Sequence, residues 1–351
     1  MEPERVETEV RRLAPWYYLF ELGATRTDCT APFDHWGHRR PQVVVPRPGF
    51  WTGRSVLDLG CNEGGLAYSA LQLGAAAVHG VEIRPANVEK ARFVGRALGV
   101  TGATFEIADV RDWLATHGNH RFDVVLLCGL LYHLPRPWEV LRMASALAAE
   151  SVVVNSVLAG GGEGYSPFEE SESIGASANP DERSSMPNTA LSIADELVRC
   201  GLSPSLISEH RVDDASIWGG GVVVAERVHP IERLERRRER LGDIGLGVYP
   251  AVVRRAAAVP QLAVLLYDRA GRDRDVVVEV SPLGSQSSSE RQTCTLEVSA
   301  RPSDTSPAGA TVESTTASFP LEWSTRRQVC LRIVGSGDAD VLYDRAFEIR
   351  L

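Results

Sequence analysis

The sequence lacks paired cysteines, an excess of basic residues and any long hydrophobic run. Its 6 cysteines are spread over 351 residues without a CxxC pair, which argues against zinc-finger and redox motifs. Lysine and arginine number 37 against 46 aspartates and glutamates, and the net charge of -9 argues against a general nucleic-acid binder. No apolar stretch approaches the ~20 residues that cross a bilayer. We therefore expect no nucleic-acid partner, no membrane partner and no resident metal.

The N-terminus also lacks the basic and then apolar pattern of a secretory signal. It begins MEPERVETEV, which is acidic and amphipathic, so the sequence predicts a cytoplasmic protein. Hydrophobic residues make up 44% and charged residues 24%, the proportions of an ordinary globular protein. The length favours two domains.

Short apolar runs alternate with helical patterns in the first two thirds of the chain. The predicted strands are 56–59, 78–83, 104–107, 124–127 and 152–157, and the predicted helices are 66–73, 86–98 and 138–148. Strands joined by helices of this length imply right-handed crossovers and a parallel sheet covered on both faces. The expected fold is therefore α/β, with a Rossmann-like doubly wound sheet.

The flanking regions have a different character. We expect a helix at 6–20, a glycine- and serine-rich loop at 159–185, a helix at 189–200 and two strands at 206–212 and 221–228. Beyond an Arg/Glu-rich helix at 231–240, short β-branched runs separated by turn residues predict an all-β, sandwich-like domain. The predicted segments are a helical cap or lid at 1–54, the main domain at 55–228, a linker helix region at 229–260 and the β-sandwich-like domain at 261–351.

The most informative segment is VLDLGCNEGG at residues 56–65, an apolar strand running into a glycine-rich turn. Ligands of such sheets bind outside the carboxyl ends of the strands. A nicotinamide cofactor requires GxGxxG around a doubly negative pyrophosphate, but this turn has Asn62 at the second glycine position, with Asp58 and Glu63 beside it. A carboxylate about 4 Å from a phosphate charge costs about 4 kcal/mol at an effective dielectric of 20. S-adenosylmethionine carries an ammonium and a sulfonium, so the acidic side chains favour it.

Acidic residues also follow the next two strands. Glu82 ends the second strand and is placed to accept hydrogen bonds from two ribose hydroxyls, a feature that fits a nicotinamide enzyme equally well. Asp109 follows the third strand, where its carboxylate can accept a hydrogen bond from an adenine amino group. Val110 is expected to pack on the adenine ring.

These motifs together resemble those of class I methyltransferases. VLDLGCNEGG is similar to their first motif, GVEIRP to the second, IADV to the third and FDVVLLCGLLYHLPRPWEVL to the fourth-strand motif. The resemblance covers roughly residues 16–228 and implies S-adenosylmethionine as cofactor. Many members have glycine where this chain has Asn62, a residue that tolerates left-handed backbone. The residues expected to contact the cofactor are Asp58, Gly60, Cys61, Asn62, Gly64, Glu82, Ile83, Asp109, Val110 and Cys128.

The resemblance further implies in-line attack of an acceptor atom on the sulfonium methyl, driven mostly by positioning. A hydroxyl acceptor also needs a base. His133 is the first choice and His35 the second, although His133 fixing the loop or the cofactor is an equal alternative. His35 and His38 flank Trp36 in what is a surface loop, an active-site lid or a weak metal site. The residues expected to contact the acceptor are Trp36, His38, Tyr132, Tyr165 and Met186.

The function predicted from these observations is methyl transfer to the oxygen, nitrogen or carbon of a small molecule in specialised-metabolite or sugar biosynthesis. Three alternatives stay open. The protein is a cofactor-binding cyclase or isomerase, a tRNA-modifying methyltransferase, or a binding or assembly protein that acts through its C-terminal β domain. For that domain, homodimerisation is one expected role.

Overall fold

The computed structural model describes most of the first 230 residues and the strands that follow. The described residues are 1–28, 45, 48–160, 164–168, 183–211, 219–227, 229–230, 246–253, 261–268, 274–282, 292–298, 300–302, 310–313, 315–320, 328–335 and 341–348. They form two compact units, Met1–Ser156 with Pro167–Met186, and Val157–Ser166 with Pro187–Leu351. This division differs from the predicted boundary near residue 228, and the limits of the predicted segments stay a prediction.

The first unit contains a parallel sheet. After a short hairpin of β1 (Glu21–Leu22) and β2 (Thr25–Arg26), its strands are β3 (Ser55–Leu59), β4 (Ala77–Glu82), β5 (Ala103–Ile107), β6 (Phe122–Cys128) and β7 (Ala148–Leu158), whose last two residues belong to the second unit. The order across the sheet is β7-β6-β3-β4-β5, and every neighbouring pair is parallel. All five carboxyl ends therefore lie at the same edge. Because the chain runs outward from β3 to β5 and returns to β6 beside β3, the topological switch point lies between β3 and β6.

Continuous apolar runs explain why these segments become central strands. Val56, Leu57 and Leu59 of β3 are 0% exposed, and the apolar residues of β6 from Val124 to Leu127 are at most 1% exposed. A strand covered on both faces needs apolar side chains on both, so the sequence shows no alternation. The five predicted strands are thus confirmed, with ends that differ by up to four residues.

Four helices accompany this sheet, namely α2 (Gly65–Gln72), α3 (Pro85–Leu98), α4 (Val110–Thr116) and α5 (Pro137–Leu147). Three were predicted to within about one residue at each end. Helix α4 was not, because seven residues give too few turns for an apolar period to stand out. No helix among the described residues is both long and apolar enough to cross a membrane.

The N-terminal helix is shorter than predicted. α1 spans Pro3–Arg12 and ends at Leu13, whereas the sequence predicted a helix over 6–20. Pro15 explains the difference, since proline lacks an N–H donor and disfavours helical backbone in the residue before it. The aromatic residues that follow pack against one another outside a helix, as the rings of Trp16 and Phe20 do at 6.0 Å between centroids. Trp16 is 2% exposed, and its Nε1 donates to the Val10 carbonyl at 2.8 Å.

The second unit is rich in β structure. Short strand β8 (Tyr165–Phe168) and the first two residues of β9 (Ser184–Pro187) lie in the stretch 159–185 predicted to be a loop, and each strand is shared between the two units. Helix α6 (Ala190–Arg199) is followed by the antiparallel pair β10 (Ser203–Arg211) and β11 (Gly219–Glu226), close to the predicted positions. The later strands are β12 (His229–Pro230), β13 (Leu246–Val253), β14 (Gln261–Asp268), β15 (Arg274–Pro282), β16 (Gln292–Val298), β17 (Ala300–Pro302), β18 (Ala310–Glu313), β19 (Thr315–Pro320), β20 (Gln328–Gly335) and β21 (Val341–Glu348).

These later strands form two four-stranded antiparallel sheets, β12-β13-β14-β19 and β16-β15-β20-β21, while β18 pairs with β10 and β17 with β18. The sandwich-like pattern is visible in β15, where Val276, Val278 and Val280 are at most 1% exposed and alternate with less buried residues. The prediction of a Rossmann-like sheet with a β-rich C-terminal region is confirmed. Residues 231–245, which include the predicted Arg/Glu-rich helix, lie outside the described residues, and β13 occupies part of the predicted linker helix region.

Candidate methyl-donor site

The glycine-rich turn joins the carboxyl end of β3 to the first residue of α2. The backbone N–H groups of Gly60 and Cys61 both donate to the carbonyl of Val81 in β4, at 2.8 and 3.1 Å. Within the turn, the Gly64 N–H donates to the Cys61 carbonyl at 2.9 Å. The backbone hydrogen bonds of the protein itself therefore fix the turn to β4.

Left-handed backbone shapes this turn. Gly60 and Gly64 have φ of 74° and 79°, and Asn62 has φ of 52°, the only positive φ of a non-glycine residue among those described. Asparagine is one of the few side chains that adopt this conformation at low cost, so it can replace the glycine that many class I members have. A Cβ on Gly60 would also lie 3.1 Å from Leu130 Cδ1, which makes glycine the residue that fits there.

Glu82 is fixed at the end of β4 with both carboxylate oxygens already in use. Oε2 accepts from the Asn62 N–H and Oε1 from the Arg84 N–H, each at 2.9 Å. The residue is 4% exposed. Each carboxylate oxygen has a second lone pair, so the same two oxygens remain able to accept hydrogen bonds from a ligand. This is the arrangement that recognition of a diol requires.

Asp58 lies beside Glu82 and is still more buried, at 1% exposed. Its Oδ2 has no hydrogen-bond partner among the described residues. Burial, and then the negative charge of Glu82, raise the pKa of Asp58 to about 7. A buried carboxylate oxygen without a donor is costly, and such groups concentrate at functional sites. The pair therefore forms a buried acidic centre at the carboxyl edge of the sheet.

Glu63, the acidic residue within the turn itself, has a different role from the one inferred from its charge. Glu63 is 1% exposed and accepts hydrogen bonds from the N–H groups of Tyr17 and Tyr18 at 2.9 and 3.0 Å. Its Oε1 also pairs with Lys90 Nζ at 2.8 Å. Its charge is thus compensated within the protein, and the electrostatic argument for a cationic ligand rests on Asp58 and Glu82 alone.

Asp109 caps helix α4. Its Oδ1 accepts from the Arg111 N–H at 2.7 Å, and Oδ2 pairs with the Arg111 guanidinium at 2.9 Å. Burial acts to raise the pKa of Asp109, but the hydrogen bonds and the charge of Arg111 outweigh it and lower the pKa overall. Recognition of an adenine amino group by this carboxylate stays a prediction, and it would have to share the oxygens with Arg111. Val110 beside it is 6% exposed.

Two substitutions of Asp109 separate its role as the N-cap of α4 from the effect of its negative charge. Asp109→Ala is expected to lower the free energy of unfolding by about 1 kcal/mol, because it removes the N-cap acceptor, whereas Asp109→Asn should cost much less, since asparagine caps equally well. Urea denaturation measures both, with the exposed Asp112→Asn as control. Equal loss of stability in the alanine and asparagine variants would contradict a capping role.

The opposite side of the switch point is built by the end of β6. Cys128 is 7% exposed, and the Gly129 N–H donates to the Asn155 carbonyl at 2.8 Å. A short 3-10 helix, Leu131–His133, follows. The rings of Tyr132 and His133 lie 4.2 Å apart, and both residues are half-buried.

The segment of β9 that carries Met186 lies beside this short helix. Ser185 donates from its N–H to the Leu134 carbonyl and from its Oγ to the Pro135 carbonyl, both at 2.8 Å. Met186 itself is 2% exposed, so its side chain is packed in the interior. The structure thus brings Tyr132, His133 and the backbone of β9 together at the end of β6.

The remaining predicted site residues are placed as follows. Cys61 is 3% exposed, and burial raises the pKa of its thiol. Ile83 is half-buried after Glu82. Tyr165 belongs to the second unit, where burial raises the pKa of its hydroxyl. His35, Trp36 and His38 lie outside the described residues. The roles assigned to all predicted site residues stay predictions.

Sequence reasoning missed Lys90, since a lysine within a helix carries no signal of burial. It missed the contact between Leu130 and Gly60 for a similar reason, because the two residues are 70 positions apart. The aromatic run at 16–20 was recognised, but nothing in its pattern indicated that the backbone of Tyr17 and Tyr18 would bind the turn.

Comparison with known proteins agrees with this geometry. Residues 52–163 match a family described as "Methyltransferase domain". A ubiquinone biosynthesis O-methyltransferase of Neisseria meningitidis serogroup A is 36% identical over 95 residues, which are 27% of this chain and 40% of that enzyme. A tRNA U34 carboxymethyltransferase of Methylococcus capsulatus is 28% identical over 157 residues, 42% of this chain and 47% of the relative. The chain thus spans less than half the length of these curated relatives.

Among solved structures, the N-terminal domain of EvdMO1, crystallised in the presence of SAH (S-adenosylhomocysteine) and D-fucose, superposes with a TM-score of 0.51. The match covers 65% of this chain and 97% of that domain at 22% identity, and it shows a shared fold. The shared fold agrees with the matched family segment, the parallel strands β3 to β7 and the acidic residues around the turn. Residues 52–163 form a methyltransferase domain of the class I, S-adenosylmethionine-dependent family.

Proposed function

We propose that this chain transfers the methyl group of S-adenosylmethionine to a small-molecule acceptor, with Asp58 and Glu82 holding the cofactor. One observation carries the proposal. Two buried carboxylates lie at the carboxyl edge of the sheet, and one oxygen of Asp58 has no donor among the described residues. A cationic ligand with hydroxyl groups satisfies both carboxylates, whereas an anionic one would meet repulsion.

The residues present fit this cofactor. Lys90, a buried cation close to the turn, is engaged by Glu63, so it does not neutralise Asp58 or Glu82. An ammonium group would supply the charge and the donor that Asp58 Oδ2 lacks. The two oxygens of Glu82 would accept hydrogen bonds from a ribose diol. When bound, the cofactor supplies an electrophilic sulfonium methyl group.

His133 is the residue of this chain that we assign to proton transfer. It follows β6 at the switch point, and its ring lies 4.2 Å from the ring of Tyr132 at an angle of 46°, which limits the orientations of the imidazole. For a hydroxyl acceptor, His133 would take the proton that the nucleophile loses as the methyl bond forms. Tyr132 and Met186 would contact the acceptor. For an amine that attacks in its neutral form, His133 would only help to position the acceptor.

Two classes of methyl acceptor, a small molecule and a tRNA, are considered. The net charge of -9 supports a small molecule, and a ubiquinone biosynthesis O-methyltransferase is among the similar proteins. A tRNA acceptor is the alternative, since a tRNA U34 carboxymethyltransferase is also similar over 157 residues. Contacts with tRNA phosphates would make affinity fall steeply as salt rises. Titration with bulk tRNA at two salt concentrations separates the cases, because salt-sensitive binding would contradict a small-molecule acceptor.

The test of the cofactor site is calorimetric titration with S-adenosylmethionine and S-adenosylhomocysteine. Asp58→Ala and Glu82→Ala should each weaken binding by about ten- to a hundredfold, the loss expected when a hydrogen bond to a charged group is removed. Glu139→Gln is the control, since Glu139 of α5 pairs among the described residues only with the exposed Arg136, which precedes that helix. A folded wild-type protein that binds neither ligand would overturn the proposal.

A further inference from the structure

Glu63 connects the glycine-rich turn to the N-terminal segment of the first unit. Its two oxygens receive the N–H groups of Tyr17 and Tyr18 and the ammonium group of Lys90. Lys90 Nζ also donates to the Pro15 carbonyl and lies 5.4 Å from the centre of the Trp16 ring. With Glu63 at 1% and Lys90 at 9% exposed, this is a buried ion pair built around backbone groups of residues 15–18.

This buried ion pair matters more for the position of the N-terminal segment than for the free energy of unfolding. Burying two charges costs several kcal/mol before their attraction offsets it, and an apolar pair of similar volume often stabilises a fold as well. What an apolar pair cannot do is accept two backbone N–H groups at a fixed place. Glu63 therefore fixes where the N-terminal segment lies against the turn.

The neighbouring residue connects this contact to the proposed cofactor site. The Asn62 N–H donates to Glu82 Oε2 at 2.9 Å, while the side chain of the next residue, Glu63, binds the N-terminal segment. The left-handed backbone of Asn62 allows these adjacent residues to bind in different directions. Movement of Glu63 would shift Asn62 and remove one of the two donors that orient the Glu82 carboxylate.

Tyr18 makes a second contact with the same region. A Cβ added to Gly65, the first residue of α2, would lie 2.6 Å from a carbon of the Tyr18 ring, so the ring lies directly against the glycine backbone. The N-terminal segment thus contacts the turn through the side chain of Glu63 and α2 through Gly65. Both contacts depend on where the backbone of Tyr17 and Tyr18 is held.

We infer that Glu63, paired with Lys90, is a positioning residue through which residues 15–18 control the cofactor affinity of the turn. This inference rests on the proposed function. Glu63 acts through Asn62 and Glu82 and has its own oxygens occupied by protein donors. The docked N-terminal segment then belongs to the cofactor site, although it precedes the first motif by more than 35 residues.

Two double variants test this without leaving a buried charge unpaired. Glu63→Ala with Lys90→Met removes both charges and the acceptor for the two N–H groups. Glu63→Gln with Lys90→Met also removes both charges but keeps an amide oxygen that can accept them. Glu89→Gln is the matched control, because it breaks the exposed Arg12–Glu89 pair between α1 and α3 and leaves the turn intact.

Each protein is titrated with S-adenosylhomocysteine, and hydrogen exchange is measured at the Tyr17 and Tyr18 amides. The alanine variant should bind about tenfold more weakly and exchange both amides faster, the glutamine variant should recover most of both properties, and Glu89→Gln should bind like the wild type. Fast exchange in the alanine variant with unchanged affinity would show that Glu63 is merely structural and overturn the inference. Failure of the wild type to bind would instead overturn the proposed function.

Discussion

Asp58→Asn is expected to stabilise the ligand-free protein at pH 8 while removing most of its affinity for S-adenosylmethionine. Burial and the charge of Glu82 raise the pKa of Asp58 from 3.8 to about 7. Between about pH 4 and pH 7 the unfolded chain has therefore lost a proton that the native state keeps, so this group makes the free energy of unfolding fall as pH rises. Above pH 7 the native state holds an ionised buried carboxylate, at a cost on the order of a few kcal/mol.

Asparagine has the same shape and does not titrate, so the difference in stability between the variant and the wild type should grow from pH 5 to pH 8. Urea denaturation at several pH values measures this difference, and comparing the two proteins cancels the titration of every other group. Asp112→Asn, which changes an exposed carboxylate, should show no such trend. A difference that is independent of pH would contradict the raised pKa.

Ligand binding should have the opposite dependence on pH. The α-ammonium group that both ligands carry requires ionised Asp58, so affinity for S-adenosylhomocysteine should rise by about tenfold per pH unit below the pKa of about 7. The window from pH 5.5 to 7 is suitable, because the α-amino group of the ligand stays protonated there. Asp58→Asn should bind weakly with little dependence on pH. The variant is thus expected to be more stable than the wild type but to bind less tightly, which is typical of sites that hold a buried charge for a ligand.

Gly80→Ala is expected to destabilise the protein by about 1–3 kcal/mol, the cost of adding a methyl group to a filled interior. Gly80 lies in β4, in register with Asp58 of β3. A Cβ there would come within 2.6 Å of Phe105 Cδ1 and 2.7 Å of Cys61 Sγ. The Phe105 ring is held against Tyr68 at 5.7 Å between centroids, so it has little room to withdraw.

Because Cys61 is the second residue of the glycine-rich turn, the same substitution should also weaken cofactor binding. Thermal denaturation and calorimetric titration measure the two effects. Gly118→Ala is the matched control, since a Cβ at Gly118 meets nothing within 4 Å, and it should leave both quantities nearly unchanged. Equal melting temperatures for the two variants would show that the interior beneath the turn can expand.

Much of the fold could be predicted because its signals are local. Apolar runs such as 124–127 can only be buried strands when helices separate them, and glycine and proline limit where the helices begin and end. The failures are also local in origin. The seven residues of α4 are too few for a visible period, and Pro15 ended α1 earlier than the aromatic residues after it suggested.

The sequence by itself determined where the five central strands and three of their helices lie along the chain, the glycine-rich turn after β3 and the acidic residues at the carboxyl ends of β3, β4 and β5, because these follow from residue type and spacing. Only the tertiary structure decided which carboxylate has which partner. Glu63 and Asp58 are equally acidic in the sequence, yet Lys90 and two backbone N–H groups surround the first, while one oxygen of the second has no described partner. The physical reason is that the free energy of a buried charge depends on groups brought near it by folding, whose positions along the chain carry no sign of that contact.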